Sequence, residues 1–80
     1  MQTFSMGKIT IVCEGKSTRG GFKHTATLLT RGYERTRATC QYVNRTWESF
    51  EYALVLQKVL EKTNAITKRQ KTMFLKKLKG

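Results

Sequence analysis

The sequence predicts an α+β fold: a three-stranded antiparallel sheet packed on one helix, with a second short basic C-terminal helix (β-β-β-α-α). Two observations support this. Three segments alternate apolar and polar side chains and are joined by short connections, which is typical of a meander of half-buried strands. Apolar residues then recur at helical spacing after residue 52, which gives the sheet a helix that can cover one of its faces.

The predicted strands are residues 8–14, 22–30 and 33–43, and the glycine-containing segment 15–21 is the expected turn between the first two. Alternate side chains of a strand point to opposite faces. The inner face is expected to hold Ile9, Ile11, Cys13, Phe22, His24, Ala26, Leu28, Ala38, Cys40 and Tyr42. The outer face is expected to hold Lys8, Thr10, Lys23, Thr25, Thr27, Arg35, Arg37, Thr39 and Gln41.

The main helix is predicted to begin near Asn44 or Thr46, either of which can accept hydrogen bonds from the first turn. Glu48 and Glu51 would then complement the positive end of the helix dipole, and Lys62 the negative end. The apolar stripe expected to cover the sheet consists of Tyr52, Val55, Leu56, Val59 and Leu60.

A second, weaker amphipathic helix is predicted over residues 66–78. Its lysines make it marginal unless another element packs against it. Its apolar side is expected to hold Ile66, Gln70, Met73, Phe74 and Leu78. We therefore expect a β-β-β-α domain over residues 1–64 and a basic helix or tail over residues 65–80.

The charge of the chain indicates its partner. Sixteen Lys and Arg face five Glu, a formal net charge of +11, and no carboxylate follows Glu61. Such an excess opposes compaction, and cations release condensed counterions when they neutralise phosphates. We therefore expect a nucleic acid as partner, with DNA favoured over RNA. The expected contact residues are Lys8, Lys16, Arg19, Lys23, Arg35, Arg37, Arg45, Lys68, Arg69 and Lys71.

Three segments leave alternatives open. The segment 15–21 is either a plain flexible turn or a hairpin tip that touches a phosphate. Arg45 and Trp47 belong either to a structural junction between strand and helix or to a recognition edge. The tail over residues 67–80 is a basic helix that follows a phosphate backbone, a helix on an anionic surface, or a frayed solubilising end.

Nothing in the sequence favours an enzyme, a metal site or another cofactor. Cys13 and Cys40 are far apart and are expected to be reduced core cysteines of a cytoplasmic protein; the alternative is a disulfide between neighbouring strands. His24 is the single histidine and the chain has no Asp, so a core or edge position is expected for it. Glu14 and Glu34 could meet across neighbouring strands, but without a cleft they make no acid–base pair.

No run of about 18 apolar residues is present, so no membrane span is expected. The N-terminus lacks the basic start and the apolar block of a secretion signal.

The string Y-x-N-R-T-W-E-x-F-x-Y at residues 42–52, with apolar residues following at helical spacing, resembles small proteins of bacteriophages and integrated mobile elements. The β-β-β-α order also resembles the arm-binding domains of tyrosine integrases and the plant AP2-type DNA-binding domain, whose three-stranded sheet lays its outer face in the major groove. The resemblance implies a nucleic-acid-binding protein of phage or mobile-element origin in the host cytoplasm. It would be a monomer or homodimer that docks by its basic sheet face and tail.

The phage resemblance also implies an alternative function. The chain would then be a phage-encoded inhibitor of a host nucleoprotein or defence system, similar to the small inhibitors of CRISPR nucleases. Because the chain is basic, such an inhibitor would engage an acidic protein groove or the nucleic acid bound there.

Overall fold

The fold is α+β, with one antiparallel sheet and two helices, which confirms the predicted class. The computed structural model describes residues 1–42 and 52–78. The sheet has four strands in the order β1-β2-β3-β4, not three as predicted. The elements are β1 (Gln2–Met6), β2 (Ile9–Thr18), β3 (Gly21–Thr30), β4 (Tyr33–Tyr42), α1 (Ala53–Lys62) and α2 (Lys68–Leu78).

The additional strand is β1, which pairs antiparallel with the first half of β2 and places Phe4 opposite Ile11. Gly7, with φ of 62°, and Lys8 form the turn between these strands. Gly7 takes this left-handed conformation at little cost. Lys8, which was predicted to begin a strand, therefore lies in a turn. β1 is short and Phe4 is its one buried side chain, so the alternation of apolar and polar residues in β1 is weak in the sequence.

The hairpin of β2 and β3 is longer than predicted. β2 continues through Gly15 to Thr18, and the cross-strand pair Lys16–Lys23 lies inside the ladder. The turn is confined to Arg19 and Gly20, and Gly20 has φ of 83°. The expected loop over residues 15–21 is therefore mostly strand, because its polar residues pair with β3 although they bury little.

The parity predicted for the inner sheet face is confirmed. The buried side chains of the sheet come from alternate positions, and α1 covers them with the predicted stripe at helical spacing. Fully burying an aliphatic side chain of this size stabilises the fold by roughly 1.5–3 kcal/mol. The buried side chains shared by the sheet and α1 are Phe4, Ile9, Ile11, Cys13, His24, Ala26, Leu28, Ala38, Val55, Leu56, Val59 and Leu60.

The start of the main helix differs from the prediction. α1 begins at Ala53 with Tyr52 at its N-cap, no side chain caps it, and its first turn contains no carboxylate. The predicted caps Asn44 and Thr46 and the acidic residues Glu48 and Glu51 lie outside the described residues. Lys62 lies in the last turn, as predicted.

The second helix forms and joins the same core. Thr67 and Gln70 cap its start reciprocally: the Gln70 amide donates to Thr67 Oγ1 at 3.2 Å, and the Thr67 amide donates to Gln70 Oε1 at 2.9 Å. Phe74 is completely buried and Ile66 nearly so, as predicted. Met73, expected on the apolar side, is 48% exposed. A single large aromatic anchor therefore holds much of this otherwise basic helix in place.

Candidate functional site

The outer face of the sheet is bare within the described residues, because α1 and α2 pack on the inner face. The strand pairing aligns its side chains in rows across the four strands. The two rows in the middle of the face are mostly uncharged: Thr3, Val12 and Thr27 lie in one row with Arg37, and Thr25 and Thr39 lie in the other with Glu14. The face is rich in hydroxyls, as predicted, and charged side chains stand at the outer strands of these rows.

One end of the outer face carries a cationic cluster at the tip of the β2–β3 hairpin, formed by Lys16, Arg19 and Lys23. Lys16 and Lys23 are directly opposite each other across the two strands, and Arg19 lies in the turn beyond them. All three side chains are exposed. Like charges directly opposite one another in a sheet are destabilising. A bound anion between these two ammonium groups would relieve that repulsion.

The other end of the outer face is not purely basic. Arg37 Nη2 donates to Glu34 Oε1 at 2.7 Å, and both side chains are about half exposed or more. An exposed pair of this kind contributes roughly 0–1 kcal/mol of stability. The remaining carboxylate on this face, Glu14, lies beside the hairpin tip and lines a pocket with Lys16 and Lys23.

A register shift in the β3–β4 ladder changes the surroundings of Arg35. Leu28 is opposite Thr36 and Leu29 is opposite Glu34, so Arg35 is the extra residue of a β-bulge. The regular alternation of side chains is interrupted at this bulge. Arg35 and Arg37 both line a groove between the free edge of β4 and the end of α1.

The edge groove is lined by Arg35, Thr36, Arg37, Lys62, Asn64 and Ala65 and has a volume of about 500 Å³. Two contacts fix its walls to one another. Lys62 Nζ donates to the carbonyl of Arg37 at 3.0 Å, and Thr36 Oγ1 donates to Thr63 Oγ1 at 2.8 Å. No carboxylate is among the described residues that line it. The three cations and Asn64 give the groove a positive, donor-rich character.

The predicted contact residues of the tail lie in a different layer of the molecule. α2 packs against α1 and β1, on the side of the sheet that the helices cover. Lys68 and Arg69 are exposed, and Lys71 is half-buried. The structure therefore does not bring these cations together with the hairpin tip. Lys8 lies in the β1–β2 turn, where its carbonyl accepts from the Arg31 amide at 3.0 Å, and Arg45 lies outside the described residues.

Three lysines outside the set of predicted contact residues contact the edges of the sheet. Lys58 Nζ donates to the carbonyl of Thr39 at 2.8 Å, and Lys62 makes the equivalent contact with Arg37. Lys77 Nζ donates to the carbonyl of Ser5 on β1. The available signal was the spacing of Lys58 and Lys62, one turn apart on a helix predicted to cover the sheet.

The candidate reactive groups are His24, the two carboxylates Glu14 and Glu34, and the two cysteines. His24 is fully buried, and its ring packs against those of Phe22, Tyr42 and Tyr52 with centroids 5.2, 5.1 and 4.8 Å away. Its inner-face position agrees with the core or edge position predicted for it. Glu14 and Glu34 do not meet, since they lie on β2 and β4 with β3 between them.

Both cysteines are free thiols, and the disulfide alternative is wrong because β3 separates their strands. Burial raises the pKa of the Cys13 thiol from 9.0 to about 11. The thiol therefore stays protonated at neutral pH and is a poor nucleophile. Within the two described segments, no group of three His, Cys, Asp or Glu side chains could hold a metal ion.

No protein-family model, curated protein or solved structure shows a significant match to this chain. Among the described helices, none is long and apolar enough to cross a membrane.

Proposed function

We propose that this chain is a small nucleic-acid-binding protein, of the phage or mobile-element kind that its 42–52 motif resembles. It docks through the hairpin tip and the outer sheet face, with DNA as the favoured ligand. The observation that carries the proposal is the cross-strand pair Lys16–Lys23 with Arg19 beyond it. The fold holds these like charges together although they repel, and Glu14, which lines the same pocket, balances only one of the three cations. A phosphate is the polyanion group that would neutralise the rest.

The hydroxyl-rich rows of the outer face suit the same ligand. Threonine hydroxyls and the amide of Gln41, which pairs with Lys23, are short hydrogen-bonding groups that can reach phosphate oxygens or base edges. Cations at the end of the face would fix the position of the nucleic acid, and the hydroxyl rows would lie against it. This division matches the usual one, in which phosphate contacts position a protein and base contacts specify a sequence.

The test is a binding titration with duplex DNA, single-stranded DNA and structured RNA at two salt concentrations. If about six phosphates are contacted, affinity for the preferred ligand falls by roughly a thousandfold between about 50 and 200 mM salt. The double variant Lys16→Gln/Lys23→Gln should bind more weakly and lower the slope of log affinity against log salt by about 2.

The matched control is Arg31→Gln/Lys76→Gln, which removes the same charge from two exposed positions away from the hairpin tip. We expect it to leave the affinity and the salt slope nearer to those of the parent chain. If this control weakens binding as much as the tip variant, binding follows net charge and the assigned surface is wrong. Absence of binding to all three ligands at the lower salt concentration would refute the function itself.

A further inference from the structure

The groove between β4 and the end of α1 is a second positive site, separate from the hairpin tip. Its three cations come from two elements, Arg35 and Arg37 from β4 and Lys62 from α1. A β-bulge aims a side chain away from the regular alternation of a strand, and bulges occur preferentially beside functional sites. Here the bulged residue is Arg35, one of the groove's cations.

Two of the three cations of the groove, Lys62 and Arg37, make contacts that fix them and retain further donors. Lys62 uses one N–H on the Arg37 carbonyl at 3.0 Å, and an ammonium group has three. Arg37 uses Nη2 on Glu34 at 2.7 Å, and a guanidinium has five N–H groups. The Thr36–Thr63 hydrogen bond ties β4 to the residue that follows α1. Little ordering of Lys62 and Arg37 is then required when a ligand binds, which favours affinity.

The charge and size of the groove select its ligand. Three positive charges, one of them balanced by Glu34, leave a net charge of +2 (3 − 1). A phosphate monoester carries about −1.5 to −2 at neutral pH, whereas each internal phosphodiester of a nucleic acid carries −1. The volume of about 500 Å³ exceeds that of one phosphate group and leaves room for the attached sugar.

We propose that the groove lined by Arg35, Arg37 and Lys62 binds a dianionic phosphate monoester, the group found on a free nucleotide and on the 5′ end of a nucleic-acid strand. Arg35 contributes a planar fork of donors that matches two phosphate oxygens, and Lys62 contributes a point charge. This site is additional to the proposed function, which concerns internal phosphates at the hairpin tip.

The test is an NMR titration that follows the backbone amides of Arg35, Thr36 and Asn64. The probes are adenosine 5′-monophosphate, adenosine, and one trinucleotide with and without a 5′-phosphate. We expect saturable shifts with the monophosphate and the 5′-phosphorylated trinucleotide. Adenosine and the 5′-hydroxyl trinucleotide should produce much weaker shifts. If the two trinucleotides shift these amides equally, the dianion is not recognised and the proposal is wrong.

The variant Arg35→Gln should weaken monophosphate binding by about tenfold or more, since a charge-assisted hydrogen bond is lost. Arg35→Lys keeps the charge but loses the planar fork of donors. Its affinity for the monophosphate should lie between those of the parent chain and Arg35→Gln. Arg31→Gln is the matched control, because Arg31 is an exposed arginine of the neighbouring turn that does not line the groove. Equal affinities for Arg35→Gln and Arg31→Gln would overturn the proposal.

The outcomes separate this site from the proposed function. Saturable monophosphate binding by a chain that binds no duplex, single strand or RNA would keep the groove and reject the function. Salt-dependent nucleic-acid binding that depends on Lys16 and Lys23, without any monophosphate response at Arg35, would do the reverse. If only the phosphorylated trinucleotide shifts the groove amides, the source of the monoester is a strand end. If the mononucleotide shifts these amides as much as the phosphorylated trinucleotide does, the phosphate monoester alone is sufficient for binding.

Discussion

Replacing Gly15 with Ala tests how closely the aromatic rings at the end of the core approach the backbone of β2. A Cβ at this position would lie 2.7 Å from Phe22 Cε1, 3.2 Å from Tyr52 Oη and 3.3 Å from His24 Cδ2. The first distance is far below an ordinary carbon–carbon contact of about 3.5–4.0 Å. The rings must therefore move to admit a methyl group.

The expected cost is the difference between two opposing effects. Overpacking a well-packed site costs roughly 1–3 kcal/mol. Replacing Gly by Ala where the backbone permits it stabilises a protein by roughly 0.4–1 kcal/mol, because the unfolded chain loses freedom. Phe22 is only half-buried and can yield in part, so we expect Gly15→Ala to lower the free energy of unfolding by about 1–2 kcal/mol. For a domain of this size, each kcal/mol lowers Tm by about 4–8 °C.

The assay is urea and thermal denaturation followed by circular dichroism, for the parent chain and Gly15→Ala. Phe22→Leu removes the ring that the new methyl group would strike, and so supplies a second background. In that background, Gly15→Ala should cost about 1 kcal/mol less, since the main clash is absent. The reasoning is refuted if Gly15→Ala is as stable as the parent chain, or if its cost is the same in both backgrounds.

Two further predictions concern buried side chains. Phe74→Ala should lower the free energy of unfolding by roughly 3–5 kcal/mol and reduce helicity, because Phe74 anchors α2; exposed Met73→Ala is the control in the same urea titration, and equal stabilities of the two variants would contradict the prediction. Because folding raises the pKa of Cys13 from 9.0 to about 11, its contribution is present below pH 9 and is lost as the pH rises toward about 11, in total about 2–3 kcal/mol. In urea titrations across this pH range, the free energy of unfolding of Cys13→Ala should fall less than that of the parent chain. If the two chains lose the same free energy of unfolding as the pH rises, the prediction is wrong.

The inner face and its covering helix could be predicted because each depends on the geometry of one element. Side chains of a strand alternate and those of a helix recur at 3.6 residues, so Ile11, Leu28 and Leu56 could be placed in the core from the sequence. The same logic placed Phe74 on the apolar side of the second helix. These positions do not depend on which strand pairs with which.

What could not be predicted depends on pairing between elements. The bulge at Arg35 arises from the register of β4 against β3, a property that neither strand's own pattern contains. β1 has a single buried side chain, Phe4, and becomes a strand because β2 offers it an edge. The partners of Lys58 and Lys62 are carbonyls of β4 about 20 or more residues away in the chain. Their positions follow from how α1 lies on the sheet.

Three lysines of this chain cover carbonyls at the two edges of the sheet. Carbonyls of edge strands β1 and β4 are occupied by Lys77, Lys58 and Lys62, and an unoccupied edge is a template for pairing with another molecule. Reagents that acylate amines, which are used to couple proteins to dyes or solid supports, would remove these donors. The carbonyls at both edges of the sheet would then be available for strand pairing with another molecule. Labelling at the half-buried thiol of Cys40, after replacing Cys13, would leave these lysine–carbonyl hydrogen bonds intact.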